Sequence, residues 1–127
     1  MIESDAFSDT SIEEILIPSS VKIISSSAFQ NCQNLTKVDF EPNSNLQLIE
    51  SNAFSNANIK SIIIPLKVTK ICRDAFFNCT FIQMVEISEE SKLESFPFSA
   101  FDQRTELIIM IPPSLENLIH EIKNIHK

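Results

Sequence analysis

Short apolar runs recur along the chain at steps of 23 or 24 residues. Their last residues are Ile17, Phe40, Ile64, Ile87 and Ile111. Within Lys37–Phe40 and its equivalents, inward and outward positions alternate with the two-residue period of a half-buried strand. The pattern predicts short strands that stack in parallel, one in each repeating unit.

An Ala-Phe pair lies between successive runs and recurs at steps of 22 or 25 residues. The pairs begin at Ala6, Ala28, Ala53, Ala75 and Ala100. We expect each pair to form a tight helical or 3-10 turn, in which alanine allows close approach and phenylalanine fills the interior. A third apolar column follows the strands with the same period, at Val21/Ile24, Leu46/Ile49, Val68/Ile71, Leu93/Phe96 and Leu115/Leu118. Because all three columns share one period, the chain is predicted to be a solenoid stabilised by stacking of neighbouring coils.

The repeating units alternate between two kinds, which gives a longer period of 47 residues. Odd units carry Ile-Pro at the end of the strand, as at Ile17 and Ile64, and proline cannot donate a hydrogen bond to a sheet. Even units carry a longer acidic turn, at 41–46 and 88–93. The sequence therefore indicates tandem copying of a two-repeat unit, with coils that alternate slightly in size.

Two segments carry a family resemblance. Ile24–Leu35 reads ISSSAFQNCQNL, Ile71–Ile82 reads ICRDAFFNCTFI, and Ile17–Val21 reads IPSSV. These segments closely resemble the BspA-type leucine-rich repeat, and the resemblance extends from about residue 4 to about residue 119. It implies a right-handed leucine-rich-repeat solenoid with a parallel β-sheet of about five short strands. It also implies a non-catalytic scaffold, related to surface proteins of bacteria and protists that act in adhesion or protein binding.

The chain departs from the family pattern at one repeated position. The family usually has glycine directly after the third apolar column, where this chain has Ser25, Glu50, Cys72 and Pro97. Because these residues disfavour the left-handed backbone that glycine adopts readily, we expect ordinary φ values there.

Residues 1–113 form the repeat domain in this interpretation, with about five units of 22–25 residues. In the tail that follows, apolar residues recur at three- and four-residue steps behind Ser114, a residue that can cap a helix. We predict a C-terminal amphipathic helix over 114–127 that caps the last coil, with one more extended segment as the alternative. No matching polar cap precedes Ala6, so the N-terminal edge is expected to be bare.

Composition and charge narrow the function classes. The chain has no glycine, which excludes the phosphate-binding loop, the dinucleotide fingerprint and the nucleophile elbow. Its net charge of −7 argues against nucleic acid and against an anionic membrane surface as partners. The longest apolar run, Leu107–Ile111, is too short for membrane insertion, and residues 1–12 lack a secretory signal pattern. The sequence alone thus favours the cytoplasm, whereas the family resemblance favours the cell surface.

Repeated polar residues have a structural interpretation. Cys32 and Cys79 share a repeat position two coils apart, which is beyond disulfide reach, so both are expected to be free core thiols. Asn31, Asn56 and Asn78 share another column and are expected to form hydrogen bonds to turn backbone from coil to coil.

No catalytic, metal or cofactor site is predicted. His120 and His126 are six residues apart and form neither a zinc motif nor a nucleophile–base pair. The acidic pairs 13–14 and 89–90 are adjacent in sequence and are expected to be solvated turns. We therefore expect no enzymatic activity and no cofactor.

The outward positions of the strands differ from unit to unit. One column reads Leu16, Asp39, Ile63, Glu86 and Met110, and the other reads Glu14, Lys37, Ser61, Met84 and Ile108. An apolar surface is therefore predicted in the C-terminal half of the strand face, formed by Ile63, Met84, Ile108 and Met110 beside Glu86.

The sequence-based hypothesis is a non-enzymatic protein-interaction scaffold that uses this face, with a role in adhesion or as a surface antigen. The expected partner is a protein, with a glycan or extracellular matrix as alternatives. The competing hypothesis is a structural module that forms homo-oligomers by joining copies through the bare solenoid edge.

Overall fold

The computed structural model describes residues 1–94, 96–102 and 106–111. Eight strands and one 3-10 helix are present in these ranges. The strands are β1 (Glu14–Ile17), β2 (Ile23–Ile24), β3 (Lys37–Phe40), β4 (Leu48–Ile49), β5 (Ser61–Ile64), β6 (Lys70–Ile71), β7 (Met84–Ile87) and β8 (Ile108–Met110), with the 3-10 helix Phe98–Ala100 between β7 and β8. The capping helix predicted over 114–127 lies outside the described residues.

The predicted solenoid and its five strands are confirmed. β1, β3, β5, β7 and β8 form one strand face, and every pairing on it is parallel. Glu14 is opposite Lys37, and Ser61 is opposite Met84, so equivalent residues of successive units are in register. The third apolar column forms a second, narrower sheet in which β2, β4 and β6 pair in parallel.

The strand face is interrupted between β3 and β5. β1 pairs with β3, and β5 pairs with β7 and β8, but no ladder joins the two groups. At the entry to these strands the Lys60 N–H donates to the Thr36 carbonyl over a long 3.4 Å. Since β4 and β6 of the same two coils are paired, the coils stay joined on the second sheet and separate on the strand face.

The predicted aromatic column is confirmed as a continuous stack. Neighbouring ring centroids of the five Ala-Phe phenylalanines are 5.0 to 5.3 Å apart, and their planes differ by at most 6°. The rings of Phe29, Phe54 and Phe76 are fully buried, whereas Phe7 at one end is 36% exposed. The stack therefore runs along the axis of the solenoid and forms the centre of its core.

The Ala-Phe pair also joins the coils through the backbone. The Phe29 N–H donates to the Ala53 carbonyl at 2.7 Å, and the Phe54 N–H donates to the Ala75 carbonyl at the same distance. Within a unit the Ala28 N–H donates to the Ser25 carbonyl three residues earlier, which is the predicted tight turn. Alanine fits this position because its side chain is completely buried between coils and a larger one would separate them.

Left-handed backbone occurs in the described part of this glycine-free chain at two repeated positions and at Asn43. The residue directly before the alanine has φ of 59–61° at Asp5, Ser27, Asn52 and Asp74. The residue three after the alanine has φ of 58–64° at Asp9, Asn31, Asn56 and Asn78. Aspartate and asparagine tolerate this conformation better than other non-glycine residues, because their short polar side chains can bond locally.

The ordinary φ predicted where the family has glycine is confirmed. Ser25, Glu50 and Cys72 are absent from the left-handed residues of the described chain, and Pro97 has φ of −82°. The left-handed residue lies two positions later in the first three of these units, at Ser27, Asn52 and Asp74.

Candidate protein-interaction site

All five residues predicted for the binding surface lie on β5, β7 and β8 with outward side chains. Ile63 is 59% exposed, Ile108 61%, Met110 47% and Met84 37%, while Glu86 is half-buried. The residues between them point inward, since Ile62, Ile64, Val85 and Ile87 are buried.

Strand register brings these residues together. Met84 is opposite Ser61 on one side and Ile108 on the other, and Glu86 is opposite Ile63 and Met110. Adjacent strands are about 4.8 Å apart, so each side chain touches or nearly touches its neighbour. We call this set the strand-face patch: Ile63, Met84, Glu86, Ile108 and Met110.

Glu86 is the acidic residue within the strand-face patch. In the described part of the chain, no hydrogen bond or ion pair involves its carboxylate. The N-terminal half of the face is different, because Lys37 and Asp39 form an ion pair of 3.5 Å there, with both side chains more than half exposed. The carboxylate of Glu86 therefore has no compensating group among the described residues.

A cleft lies where β3 and β5 separate, with a volume of about 430 Å³. Residues 38–41, 43 and 44 form one wall, and residues 63 and 65–67 form the other. The charged groups at its rim have partners, because the Glu41 carboxylate accepts from the Ser19 N–H at 2.8 Å and Lys67 donates to Asn45 at 2.7 Å. The lining is otherwise largely apolar, and Ile63 belongs to both the cleft and the strand-face patch.

This cleft and a second group of exposed apolar residues were not predicted from the sequence. Phe77 is 46% exposed and Phe81 is 58% exposed, and both lie outside the strands. Phe77 directly follows the stacked Phe76, so its outward orientation could have been inferred from the single phenylalanine at this point in the other units.

The cysteine prediction is confirmed. Cys32 and Cys79 are free and completely buried, and each thiol donates to a phenylalanine carbonyl of the preceding coil at 3.0 Å, to Phe7 and Phe54 respectively. Burial raises the pKa of the Cys79 thiol to about 12. This thiol is protonated at neutral pH, so it contributes to packing and is not a nucleophile.

The asparagine column is a ladder of side-chain amides. Asn56 Nδ2 donates to Asn31 Oδ1 at 2.6 Å, and Asn78 Nδ2 donates to Asn56 Oδ1 at 2.7 Å. The predicted bonds therefore do run from coil to coil, but the acceptors are neighbouring amide oxygens where turn backbone was expected. The ladder and the left-handed φ of the same residues give this column a structural role.

A metal site requires several ligand side chains close together, and a membrane span requires a long apolar helix. Among the described residues no three His, Cys, Asp or Glu side chains are arranged to hold a metal ion. No helix in those ranges has the length and apolar character needed to cross a bilayer.

The fold of this chain is similar to the folds of two solved bacterial proteins. The crystal structure of a leucine rich cell surface protein from Faecalibacterium prausnitzii is 31% identical with a TM-score of 0.79, and the match covers 93% of this chain and 31% of that one. The crystal structure of the pneumococcal vaccine antigen PcpA is 34% identical with a TM-score of 0.68, covering 73% of this chain and 23% of that one. The chain thus spans less than a third of the length of either neighbour. No curated protein matches it.

The repeat pattern itself matches a described family. The BspA type leucine rich repeat region matches residues 1–122 in six copies. Together with the parallel solenoid and its central aromatic stack, this match shows that the chain belongs to the BspA-type leucine-rich repeat family.

Proposed function

We propose that this chain is a non-enzymatic protein-interaction module that binds a protein partner through the strand-face patch. The observation that carries the proposal is the contiguous exposure of Ile63, Met84, Ile108 and Met110 on three paired strands. Large apolar side chains that lie side by side on a surface usually mark a contact site. Family membership supports a scaffold role, because stacked repeats present their strands as one continuous face.

A role at the cell surface, in adhesion or as an antigen, is part of the same proposal. Its support is the nature of the two structural neighbours, one of which is a cell surface protein and the other a vaccine antigen. A glycan or matrix component remains the alternative partner. It would be expected to use polar and aromatic groups more than the aliphatic and thioether groups of the strand-face patch.

The experiment is affinity capture from an extract of the source organism, followed by peptide identification. The double variant Met84→Asp/Met110→Asp places two charges on the patch without altering a buried residue, so the fold should persist and capture should be lost. Phe77→Asp/Phe81→Asp is the matched control, because it makes the same kind of change at the other exposed apolar group. If Phe77→Asp/Phe81→Asp abolished capture and Met84→Asp/Met110→Asp did not, the binding site would not be on the strand face.

A second candidate function is self-association through the N-terminal edge. It is favoured by Phe7, whose ring is stacked on Phe29 and is 36% exposed at the end of the column. Another coil stacked on this edge would cover the ring and could pair with β1. Light scattering across a range of concentrations tests this function: an increase in mass that Phe7→Glu abolishes supports it, and a constant monomer mass contradicts it.

A further inference from the structure

We propose that the partner surface recognised by the strand-face patch is an amphipathic α-helix that lies across the strands and places a basic side chain against Glu86. This inference rests on the proposed function and specifies the class of partner. It follows from the spacing of the outward side chains, from the charge at their centre and from the width of the apolar surface.

Spacing is the first argument. Ile63, Glu86 and Met110 lie on three successive strands in register, so two steps between strands span about 9.6 Å. On an α-helix, positions i and i+7 share a face and are about 10.5 Å apart, with i+3 or i+4 between them. A helix that crosses the strands can therefore place one side chain on each strand.

An extended peptide fits this row less well. Its same-face residues are about 6.6–7 Å apart, so three of them span about 13–14 Å and fall out of step with the strands. A polyproline helix repeats every three residues, or about 9.3 Å, so it could reach Ile63 and Met110 but would present nothing to Glu86. The row of three side chains thus favours an α-helix.

Charge is the second argument. The row reads apolar, acidic, apolar. Glu86 is half-buried, and its carboxylate has no hydrogen-bond or ion-pair partner in the described residues. Covering it with an apolar surface would leave a desolvated charge unpaired, which is costly. A lysine or arginine at i+3 or i+4 of the helix would neutralise it, with apolar residues at i and i+7 covering Ile63 and Met110.

Width is the third argument. Met84 and Ile108 lie two residues before Glu86 and Met110 on the same strands, so their column runs parallel to the first at about 6.6–7 Å. The two columns together form a strip that matches a helix of about 10–12 Å in diameter. With the basic residue at i+3, a second apolar pair on the helix, at i+4 and i+8, would cover Met84 and Ile108.

Selection from displayed libraries tests this inference without knowledge of the natural partner. One library is a stable three-helix bundle randomised at i, i+3, i+4, i+7 and i+8 of an exposed helix, and the other is a linear 12-residue peptide library. Both are selected on the wild-type chain, and every binder is measured again on Met84→Asp/Met110→Asp. We expect binders from the helical library, with Lys or Arg at i+3 or i+4 and apolar residues at i and i+7.

Charge reversal provides the sharpest test. Affinity of the helical binders should fall at least tenfold on Glu86→Lys and remain unchanged on Glu90→Lys, a reversal at an exposed turn outside the patch. A new selection on Glu86→Lys should replace the central basic residue with Asp or Glu. Helical binders without a central basic residue, or binders that are insensitive to Glu86→Lys, would overturn the inference.

The failure of the inference can be distinguished from failure of the proposed function. If only linear peptides bind and they lose affinity on Met84→Asp/Met110→Asp, the strand face is a binding surface but its partner is not a helix. If no binder from either library depends on Met84 and Met110, both the inference and the strand face as binding surface are refuted.

Discussion

Replacing Phe54 with alanine tests whether the aromatic stack is the main stabilising feature of this solenoid. The Phe54 ring is fully buried and lies between Phe29 at 5.1 Å and Phe76 at 5.3 Å. The substitution removes both ring contacts and leaves a cavity at the centre of the column. Phe7 is the internal comparison, because its ring contacts Phe29 alone within the stack and is 36% exposed.

The expected magnitudes differ by about twofold. A buried phenylalanine replaced by alanine typically costs about 3–5 kcal/mol, and each favourable ring pair contributes about 0.5–1.5 kcal/mol beyond the buried area. We therefore expect Phe54→Ala to lower the free energy of unfolding by about 4 kcal/mol and Phe7→Ala by about 2 kcal/mol. Since a small domain is stable by only about 5–15 kcal/mol, Phe54→Leu is included; it keeps most of the apolar volume and should cost about 1.5 kcal/mol.

The assay is urea unfolding followed by far-UV circular dichroism, because the chain has neither tryptophan nor tyrosine for fluorescence. The comparison uses the midpoint and slope of each transition to separate lost stability from a change in cooperativity. Equal losses for Phe7→Ala and Phe54→Ala would refute the reasoning, because the position of a ring within the stack would then have no effect. A loss below about 1 kcal/mol for Phe54→Ala would show that the stack is not the centre of the core.

Two further predictions concern Asn56 in the amide ladder and the buried thiol of Cys79. Asn56→Ala removes the two ladder bonds that Asn56 makes and forces alanine to adopt φ of 64°. In thermal unfolding it should therefore lower the free energy of unfolding by about 2–3 kcal/mol. Asn56→Gly loses the same bonds, but glycine adopts this φ readily, so its loss should be about 1 kcal/mol smaller. Equal costs would show that the left-handed backbone contributes nothing. Burial raises the pKa of the Cys79 thiol from 9.0 to about 12. Above pH 9 the thiol of the unfolded chain therefore loses its proton while the thiol of the folded chain keeps it. The free energy of unfolding should fall as the pH rises through this range. Relative to Cys79→Ala, the wild-type free energy of unfolding should decline by up to about 1.4 kcal/mol per pH unit in this range, and parallel pH profiles would contradict it.

Most of the fold could be predicted because stacking imposes the same requirement on every coil. An inward residue such as Val85 lies opposite Ile62 on one side and Ile109 on the other, so apolar identity at that position repeats with the period of the coil. The register of the strands and the aromatic stack follow directly from that period.

Two features escaped prediction for physical reasons. The separation of β3 from β5 cannot be seen in the sequence, because the spacing between these strands is 24 residues, the same as between β7 and β8, which do pair. The left-handed backbone was not predicted because glycine is the usual signal for it, and here Asn, Asp and, at position 27, Ser occupy those positions. The recurrence of Asn31, Asn56 and Asn78 was itself the available signal.

The proposed location of the binding surface rests on the contrast between inward and outward positions. Stacking explains why inward residues repeat, but it places no such demand on the outward column, which runs Glu14, Lys37, Ser61, Met84 and Ile108. Solvation alone would favour polar residues at every outward position, as in the first three coils of this column. The change to methionine and isoleucine in the last two coils costs solubility without improving the core. A partner that covers Met84 and Ile108 would remove that cost, and we therefore propose that the outward residues that do not repeat specify what this solenoid binds.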